Sequence, residues 1–310
     1  MRRCNNSHSV YVFWISYARS AHMLAVMLVK KRSLGRRILV AIGILFVVLF
    51  GAGWALVAAL SKPLPRGETG ARADELARSI ERAIDKDAWE RTGAVRWIFR
   101  GQNRHLWDRQ RSLDRVIWDD VYVLCDLSKQ TGVAFQHRKR VTGAAEQKLV
   151  AKAYASWIND AFWLNPLTKL FDSGVTRSVI EPAPGQNPGA PALLISYGGG
   201  GLTPGDSYLW LLPDRSAGGE GAVATGSALL RPRAWRMWVS IIPIKGVESS
   251  WDGWMQLATG AWVATHHQVP GTSLKLELTE VAGAASLKEL VPGPDPFAPL
   301  MGGDVTLAPE

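Results

Sequence analysis

The chain has 310 residues, of which 47% are hydrophobic and 20% are charged, a composition too apolar for intrinsic disorder. Its two cysteines, Cys4 and Cys125, are too few for a disulfide framework, a four-thiolate zinc site or an iron–sulfur cluster. The net charge of +9 is local, because residues 1–37 carry eight Lys or Arg and no acid, whereas residues 38–310 carry 28 basic and 27 acidic side chains. We therefore expect no nucleic-acid partner.

The uncharged apolar run at residues 38–60 predicts a membrane-spanning helix, since it reaches roughly 35 Å against a hydrocarbon core of about 30 Å. Basic side chains directly precede it, so the positive-inside rule places residues 1–37 in the cytoplasm and the remainder outside the membrane. We expect a single-pass protein of the bacterial inner membrane with a periplasmic or other extracytoplasmic domain. A cleaved signal peptide is the alternative, but the run exceeds the about 7–15 apolar residues of such peptides.

A second apolar stretch, residues 10–29, contains Arg19 and His22. An arginine at mid-helix costs about 2.5–3.5 kcal/mol on the insertion scale, so we do not expect a stable span here. The stretch is either an interfacial helix or, if translation starts at Met23 or Met27, an upstream extension. In both cases the domain after residue 60 faces outward.

Residues 61–70 are rich in proline and glycine and predict a short stalk. Residues 71–89 then carry apolar side chains at helical spacing and predict one amphipathic helix. From residue 95 the apolar period changes to two, which predicts an antiparallel meander. Its strands are predicted at residues 95–100, 104–107, 114–118, 121–127 and 132–137.

Helices interrupt the strands once, because residues 144–159 return to helical spacing and an aromatic segment follows at residues 162–171. Two Pro/Gly-rich loops, residues 182–191 and 213–233, are expected to join strands, and the longer one is expected to be mobile or functional. Residues 291–310, with five prolines, predict a flexible tail after a domain at residues 71–290. The strands of this second half are predicted at residues 193–197, 207–212, 234–242, 251–257, 262–268 and 274–281.

Twelve of the fourteen tryptophans follow residue 60, and each buried indole needs a partner for its N–H. This excess predicts that some rings line a cavity or face the bilayer, while ordinary core packing is the alternative. Trp235 and Trp238 are expected on opposite faces of their strand. Residues 213–233 are the candidate gate of such a cavity. The candidate wall residues are Trp97, Phe99, Trp210, Trp238 and Trp254.

No motif predicts catalysis, a cofactor or a metal. The four glycines at residues 198–201 precede a strand pattern and lack a following Lys-Ser/Thr pair, so they predict a turn and not a phosphate-binding loop. His266 and His267 are adjacent and should point to opposite faces of a strand, while His105 and His137 stand alone in the sequence. Neither a nucleophile elbow nor a zinc-protease motif is present. We therefore expect a protein that is not an enzyme.

A helix at 71–89 is followed by a series of strand and turn segments: DAWERTG at 87–93, YLWL at 208–211, AWRM at 234–237, TGAWVAT at 259–265 and LELTEV at 276–281. This order of elements resembles the periplasmic lipoprotein carrier and receptor (Lol-type) superfamily over residues 72–281. The resemblance implies an α+β, mostly β fold: a strongly curved antiparallel half-barrel with helices on its concave side, around an apolar cavity for acyl chains. The family's carriers are soluble and its receptors are lipid-anchored, whereas this chain has a predicted helical anchor. No lid or gate residue is carried over.

These observations lead to three hypotheses for function. The first is a membrane-anchored domain that binds a lipid, a lipoprotein acyl chain or another apolar ligand. The second is a non-catalytic envelope scaffold or sensor whose interior is filled by its own side chains, and the third is a hydrolase. A continuous internal cavity distinguishes the first from the second.

Overall fold

The computed structural model of the protein describes residues 39–182, 191–199, 205–213 and 230–302. The chain divides into two units, residues 1–60 and residues 61–310. In the first unit, helix α1 (Leu39–Leu60) is long and apolar enough to cross a membrane, and its most apolar window is not buried inside the protein. The apolar stretch at residues 10–29 lies outside the described residues.

The second unit is α+β and consists mostly of curved antiparallel sheets. Its described helices are α2 (Ala71–Ala83), α3 (Lys86–Arg91), α4 (Ala144–Leu164) and α5 (Leu287–Leu290), with 3-10 turns at Pro166–Lys169 and Ala298–Met301. Its strands are β1 (Ala94–Phe99), β2 (Asn103–Asp108), β3 (Leu113–Trp118), β4 (Val121–Asp126), β5 (Thr131–Gln136), β6 (Lys139–Val141), β7 (Val175–Ile180), β8 (Ala192–Tyr197), β9 (Ser207–Leu211), β10 (Ala234–Trp238), β11 (Val247–Ser250), β12 (Met255–Gln256), β13 (Trp262–Val263), β14 (His266–Gln268) and β15 (Lys275–Ala284).

The strands form two main sheets. One has eight strands in the order β14-β15-β1-β2-β3-β4-β5-β6, and the other has five in the order β11-β10-β9-β8-β7. The edge strands β14 and β11 lie side by side, because Asp252 bridges His266 in antiparallel fashion and the Gln268 N–H donates to Ser250 Oγ at 3.0 Å. The two sheets are therefore linked along these edges, and β12 pairs only with β13.

Each face of the eight-stranded sheet has its own cover. Helix α4 packs Val150 and Ala153 on the face that carries Val123. Side chains alternate along a strand, so Leu124 points to the opposite face, where the fully buried Phe297 packs against it. The prediction of a flexible tail is therefore wrong as far as residue 302, because the apolar ring of Phe297 anchors this stretch. Residues 303–310 lie outside the described part.

The single helix predicted at residues 71–89 is broken into α2 and α3. Asp85 adopts a left-handed backbone conformation with φ of 51°, which ends the first helix. Its carboxylate then accepts the Ala88 N–H at 2.9 Å and caps the second helix. Strands β6, β7 and β11 were not predicted, because their sequences lack an apolar alternation.

The predicted stalk is attached to the second unit and does not extend from it. The Lys62 N–H donates to the Lys245 carbonyl at 2.9 Å, and the Trp238 indole N–H donates to the Lys62 carbonyl at 2.8 Å. Further along, Glu68 exchanges two backbone hydrogen bonds with Val179, at 3.0 and 2.8 Å. Residues 61–68 therefore follow the five-stranded sheet, and α2 begins only after this attachment.

We expect Trp238→Phe to loosen this segment without unfolding the domain. The change removes one hydrogen bond, which contributes about 1 kcal/mol, so opening of the segment should become about fivefold more frequent. The rate of tryptic cleavage after Arg66 measures that opening. Trp254→Phe is the matched control, because its indole N–H donates elsewhere, to the Pro232 carbonyl at 3.3 Å. Equal cleavage of both variants would contradict the prediction.

Candidate functional site

Three ionisable side chains meet where α4 packs on the eight-stranded sheet. His105 on β2 places its Nδ1 3.0 Å from Asp114 Oδ2 on β3, and its Nε2 2.9 Å from Asp160 Oδ2 on α4. None of the three side chains is more than 3% exposed. We call these three residues the buried ion cluster.

The neighbours of the buried ion cluster hold it in place. Trp97 is the direct cross-strand partner of His105 in the β1–β2 pair, and their rings stack at a centroid distance of 4.4 Å with 11° between planes. Asp160 also accepts two amide N–H groups, from Asn103 on Oδ2 and from Asn159 on Oδ1, each at 2.8 Å. Asp160 is therefore the point at which α4 is fastened to the sheet.

The protonation state of the cluster follows from its charges. Burial lowers the pKa of His105, but the charge and hydrogen bonds of Asp114 and Asp160 outweigh burial and raise this pKa to about 9. Burial raises the pKa of Asp114, against the opposing effects of His105 and Arg115. At neutral pH His105 is an imidazolium that donates both N–H groups to carboxylates. In that state it is neither a general base nor a metal ligand.

The second notable feature is a group of stacked rings between the five-stranded sheet and the end of α4. The ring centroids of Trp235 and Trp251 lie 4.5 Å apart, and those of Trp210 and Trp235 lie 4.9 Å apart. The ring of Trp163, from α4, packs against that of Trp235 at a centroid distance of 4.8 Å. We call Trp163, Trp210, Trp235 and Trp251, with Tyr208 on β9, the aromatic core. Its sheet residues share one face because they alternate along their strands.

His267 borders the aromatic core and is 2% exposed. Its ring lies 3.9 Å from that of Trp251, and neither of its nitrogens makes a hydrogen bond of ordinary geometry with the described residues, although the Ser250 backbone lies close enough to oppose the lowering of its pKa. Burial lowers its pKa to about 3, so the imidazole is neutral at physiological pH. The indole nitrogens of Trp210 and Trp235 and the Tyr197 hydroxyl likewise have no partner in the described part of the chain. In and beside the aromatic core, several buried polar atoms therefore have no hydrogen-bond partner among the residues that the structure describes.

We expect His267→Leu to leave stability unchanged or to raise it by about 1 kcal/mol, because the change removes two buried polar atoms that make no hydrogen bond of ordinary geometry with the described residues. The gain should be larger at about pH 5, since a pKa lowered from 6.5 to about 3 makes the wild type lose stability as pH falls below 6.5. Urea unfolding of the full chain at neutral pH and at about pH 5 measures this change in stability. His266→Leu, at the exposed neighbouring position, should show no such gain. A loss on His267→Leu would indicate that the imidazole has a polar partner.

The structure does not bring the five candidate wall residues together. Trp97 and Phe99 pack in one buried cluster with Leu278, whereas Trp210 belongs to the aromatic core and Trp254 packs at its margin. Trp238 lies on the opposite face of the five-stranded sheet from Trp210. These residues therefore belong to at least three different surroundings. The candidate gate at residues 213–233 lies mostly outside the described residues, since 214–229 are not described.

Other residue-level predictions are confirmed. Trp235 and Trp238 lie on opposite faces of β10. On β14, His266 is exposed and His267 is buried. Cys125 is buried, and this burial raises the pKa of its thiol to about 12.

The buried ion cluster was missed from sequence because His105 and Asp160 are 55 positions apart. The signal available was weak: His105 and Asp114 occupy inward-facing positions of β2 and β3, next to Trp107, Val116 and Trp118 on the same faces. Among the described residues, no group of three His, Cys, Asp or Glu side chains has the arrangement needed to hold a metal ion. In comparisons with known proteins, no family model matches the sequence and no curated protein matches it.

Proposed function

We propose that the chain is a single-pass inner-membrane protein whose second unit is a non-catalytic interaction module, filled by its own side chains and acting through its surface. α1 is the anchor, and residues 1–37 lie in the cytoplasm. The eight basic residues that precede α1, with no acid among them, support this orientation. The second unit then lies on the outer side of the membrane.

The observation that carries this proposal is the ring packing of the aromatic core. Trp210, Trp235 and Trp251 are each at most 1% exposed and lie within 5.1 Å of one another by ring centroid. α4 contributes Trp163 and Phe162 to the same contacts, so the space beside the five-stranded sheet is occupied by side chains from a second element. A core packed in this way leaves the surface, and not the interior, as the place where a partner would bind.

Hydrolysis is disfavoured by the buried ion cluster, the arrangement that most resembles a catalytic relay. Both nitrogens of His105 are bonded to carboxylates, so no ring position is left for a nucleophile such as a serine hydroxyl. Its pKa of about 9 also keeps it protonated at neutral pH. The cluster instead fastens α4 to the sheet.

A second candidate function, the binding of an acyl chain or another apolar ligand, is favoured by one specific observation. The indole nitrogens of Trp210 and Trp235, whose rings lie 4.9 Å apart in an apolar cluster, have no hydrogen-bond partner among the described residues. An ester or carboxyl oxygen could accept the indole N–H groups if the rings moved apart around an acyl chain. The Lol-type resemblance implies the same ligand class.

Ligand binding separates the two candidates. The full chain, purified in detergent, is titrated with a fluorescent fatty acid while energy transfer from tryptophan is recorded, and native mass spectrometry tests for retained lipid. A filled interior predicts no saturable binding by the wild type. Trp235→Ala should open an internal space of about the size that holds benzene, so this variant should bind benzene and still not bind the fatty acid. Saturable one-to-one binding by the wild type would overturn the filled interior and favour the acyl-binding function.

A further inference from the structure

The loop between β10 and β11, residues 239–246, exposes Ile241 and Pro243 to solvent, while Ile242 packs against the buried cluster of the five-stranded sheet. It contains Ile241, Ile242, Pro243 and Ile244 in succession, and Ile241 is 74% exposed, the most exposed large hydrophobic residue described in the second unit. The loop is held in shape by Lys245, whose ammonium donates to the carbonyls of Val239 at 2.6 Å and Ile242 at 2.9 Å. An ordered loop with an aliphatic tip suggests an apolar partner.

The base of this loop is bonded to the first residues after the membrane helix. The Lys245 N–H donates to Ser61 Oγ at 3.0 Å, and the Lys62 N–H donates to the Lys245 carbonyl at 2.9 Å. Ser61 follows Leu60, the last residue of α1, and consecutive Cα atoms are about 3.8 Å apart. If α1 spans the bilayer, the chain itself holds this loop near the membrane surface.

A second exposed aliphatic residue lies at the same end of the linked sheets. The antiparallel bridge between Asp252 and His266 means that the chain before β11 and the chain after β14 run toward the same end. The first of these is the 239–246 loop, and the second is the β14–β15 turn, where Leu274 is 66% exposed. Both places thus carry an exposed aliphatic residue on the same end of the linked sheets, as an amphipathic surface lying in a lipid headgroup layer requires.

We propose that residues 239–246, together with Leu274, dock on the outer leaflet of the bilayer from which α1 emerges, with Ile241 inserted at the boundary between headgroups and acyl chains. The proposal rests on the proposed membrane anchoring. The bilayer is the partner because only two residues, Ser61 and Lys62, separate α1 from the base of the loop. A tether this short keeps the local lipid concentration high, so a few aliphatic side chains suffice for docking.

Site-directed fluorescence in vesicles tests this docking. The full chain carries Cys4→Ser, so that an added cysteine is the labelling site; Cys125 is 1% exposed, and a pKa raised to about 12 keeps its thiol unreactive. Ile241→Cys and, separately, Met301→Cys are labelled with a nitrobenzoxadiazole dye and reconstituted in vesicles of phosphatidylethanolamine and phosphatidylglycerol. Met301 is a matched control, an apolar residue 66% exposed in the C-terminal segment that covers the outer face of the other sheet.

We expect lipids with a nitroxide on the acyl chain to quench the dye at position 241 several-fold more than the dye at position 301, and the emission at 241 to shift to the blue. Equal quenching at the two positions, in protein that remains with vesicles after alkaline extraction, would overturn the docking surface and leave the anchor intact. Protein released by alkaline extraction would overturn the anchor, and docking with it. In a third protein the dye is attached at residue 240. With Ile241→Asp added, a water-soluble quencher should reach this dye as readily as it reaches the dye at position 301.

Discussion

Asp160→Ala is expected to lower the free energy of unfolding by about 3–5 kcal/mol, because it removes one partner from a buried charged network. The change leaves the Nε2–H of His105 and the amides of Asn103 and Asn159 without their shared acceptor. It also removes the polar contacts that help to hold α4 on the eight-stranded sheet, beside the apolar packing of Val150 and Ala153. Urea unfolding of the full chain in detergent micelles, followed by tryptophan fluorescence, measures the loss.

The chain offers a matched control with the same chemistry at its surface. His137 Nδ1 lies 2.6 Å from Asp120 Oδ2, but the side chain of His137 is 77% exposed. Asp120→Ala should therefore cost only about 0–1 kcal/mol. Asp160→Asn should lie between the two, since an amide oxygen still accepts a hydrogen bond. If Asp160→Ala costs no more than Asp120→Ala, the buried ion cluster is not what fastens α4.

The regular strands were predictable because alternation is a local property. Strands β1 to β5 each bury one face under α4, and their predicted bounds differ from those observed by one residue at most at either end. The predictions of secondary structure are wrong where an unusual backbone conformation, or a contact between residues far apart in sequence, determines the structure. Asp85 divides a continuous helical pattern through its left-handed conformation, and β7 is stabilised by its neighbour β8 despite polar residues. Proline content alone likewise predicted a tail where Phe297 packs.

The candidate site was less predictable, because each of its parts joins elements far apart in sequence. The excess of tryptophan left two interpretations open, rings that line a cavity or face the bilayer and rings in ordinary core packing. Trp163 and Phe162 come from α4 and contact rings of the sheet directly. Sequence alone does not place the end of a helix against a particular strand, so neither this packing nor the contact between Asp160 and His105 could be derived.

Stability is also expected to fall as pH rises from 6.5 to about 9. The folded-state pKa of His105 is raised from 6.5 to about 9, so its stabilising contribution is complete below pH 6.5 and is lost as pH rises through about 9. At about 1.4 kcal/mol per pKa unit, the loss is on the order of 3 kcal/mol. The charged groups that face His105 are Asp114 from β3 and Asp160 from α4, with Arg115 acting on Asp114.

Urea unfolding is measured across this pH range for the wild type and for His105→Gln. The difference between the two proteins isolates the contribution of His105 to stability, because they share all other ionisable groups. The variant should be less stable at pH 6.5 and nearly flat up to about pH 9. His137→Gln, which alters the exposed histidine, should keep the wild-type slope. A histidine-selective carbon-13 NMR titration gives the His105 pKa in the folded state directly, so the test stands even if His105→Gln folds poorly. A pKa at or below 6.5 would show that burial, and not the two carboxylates, controls this imidazole.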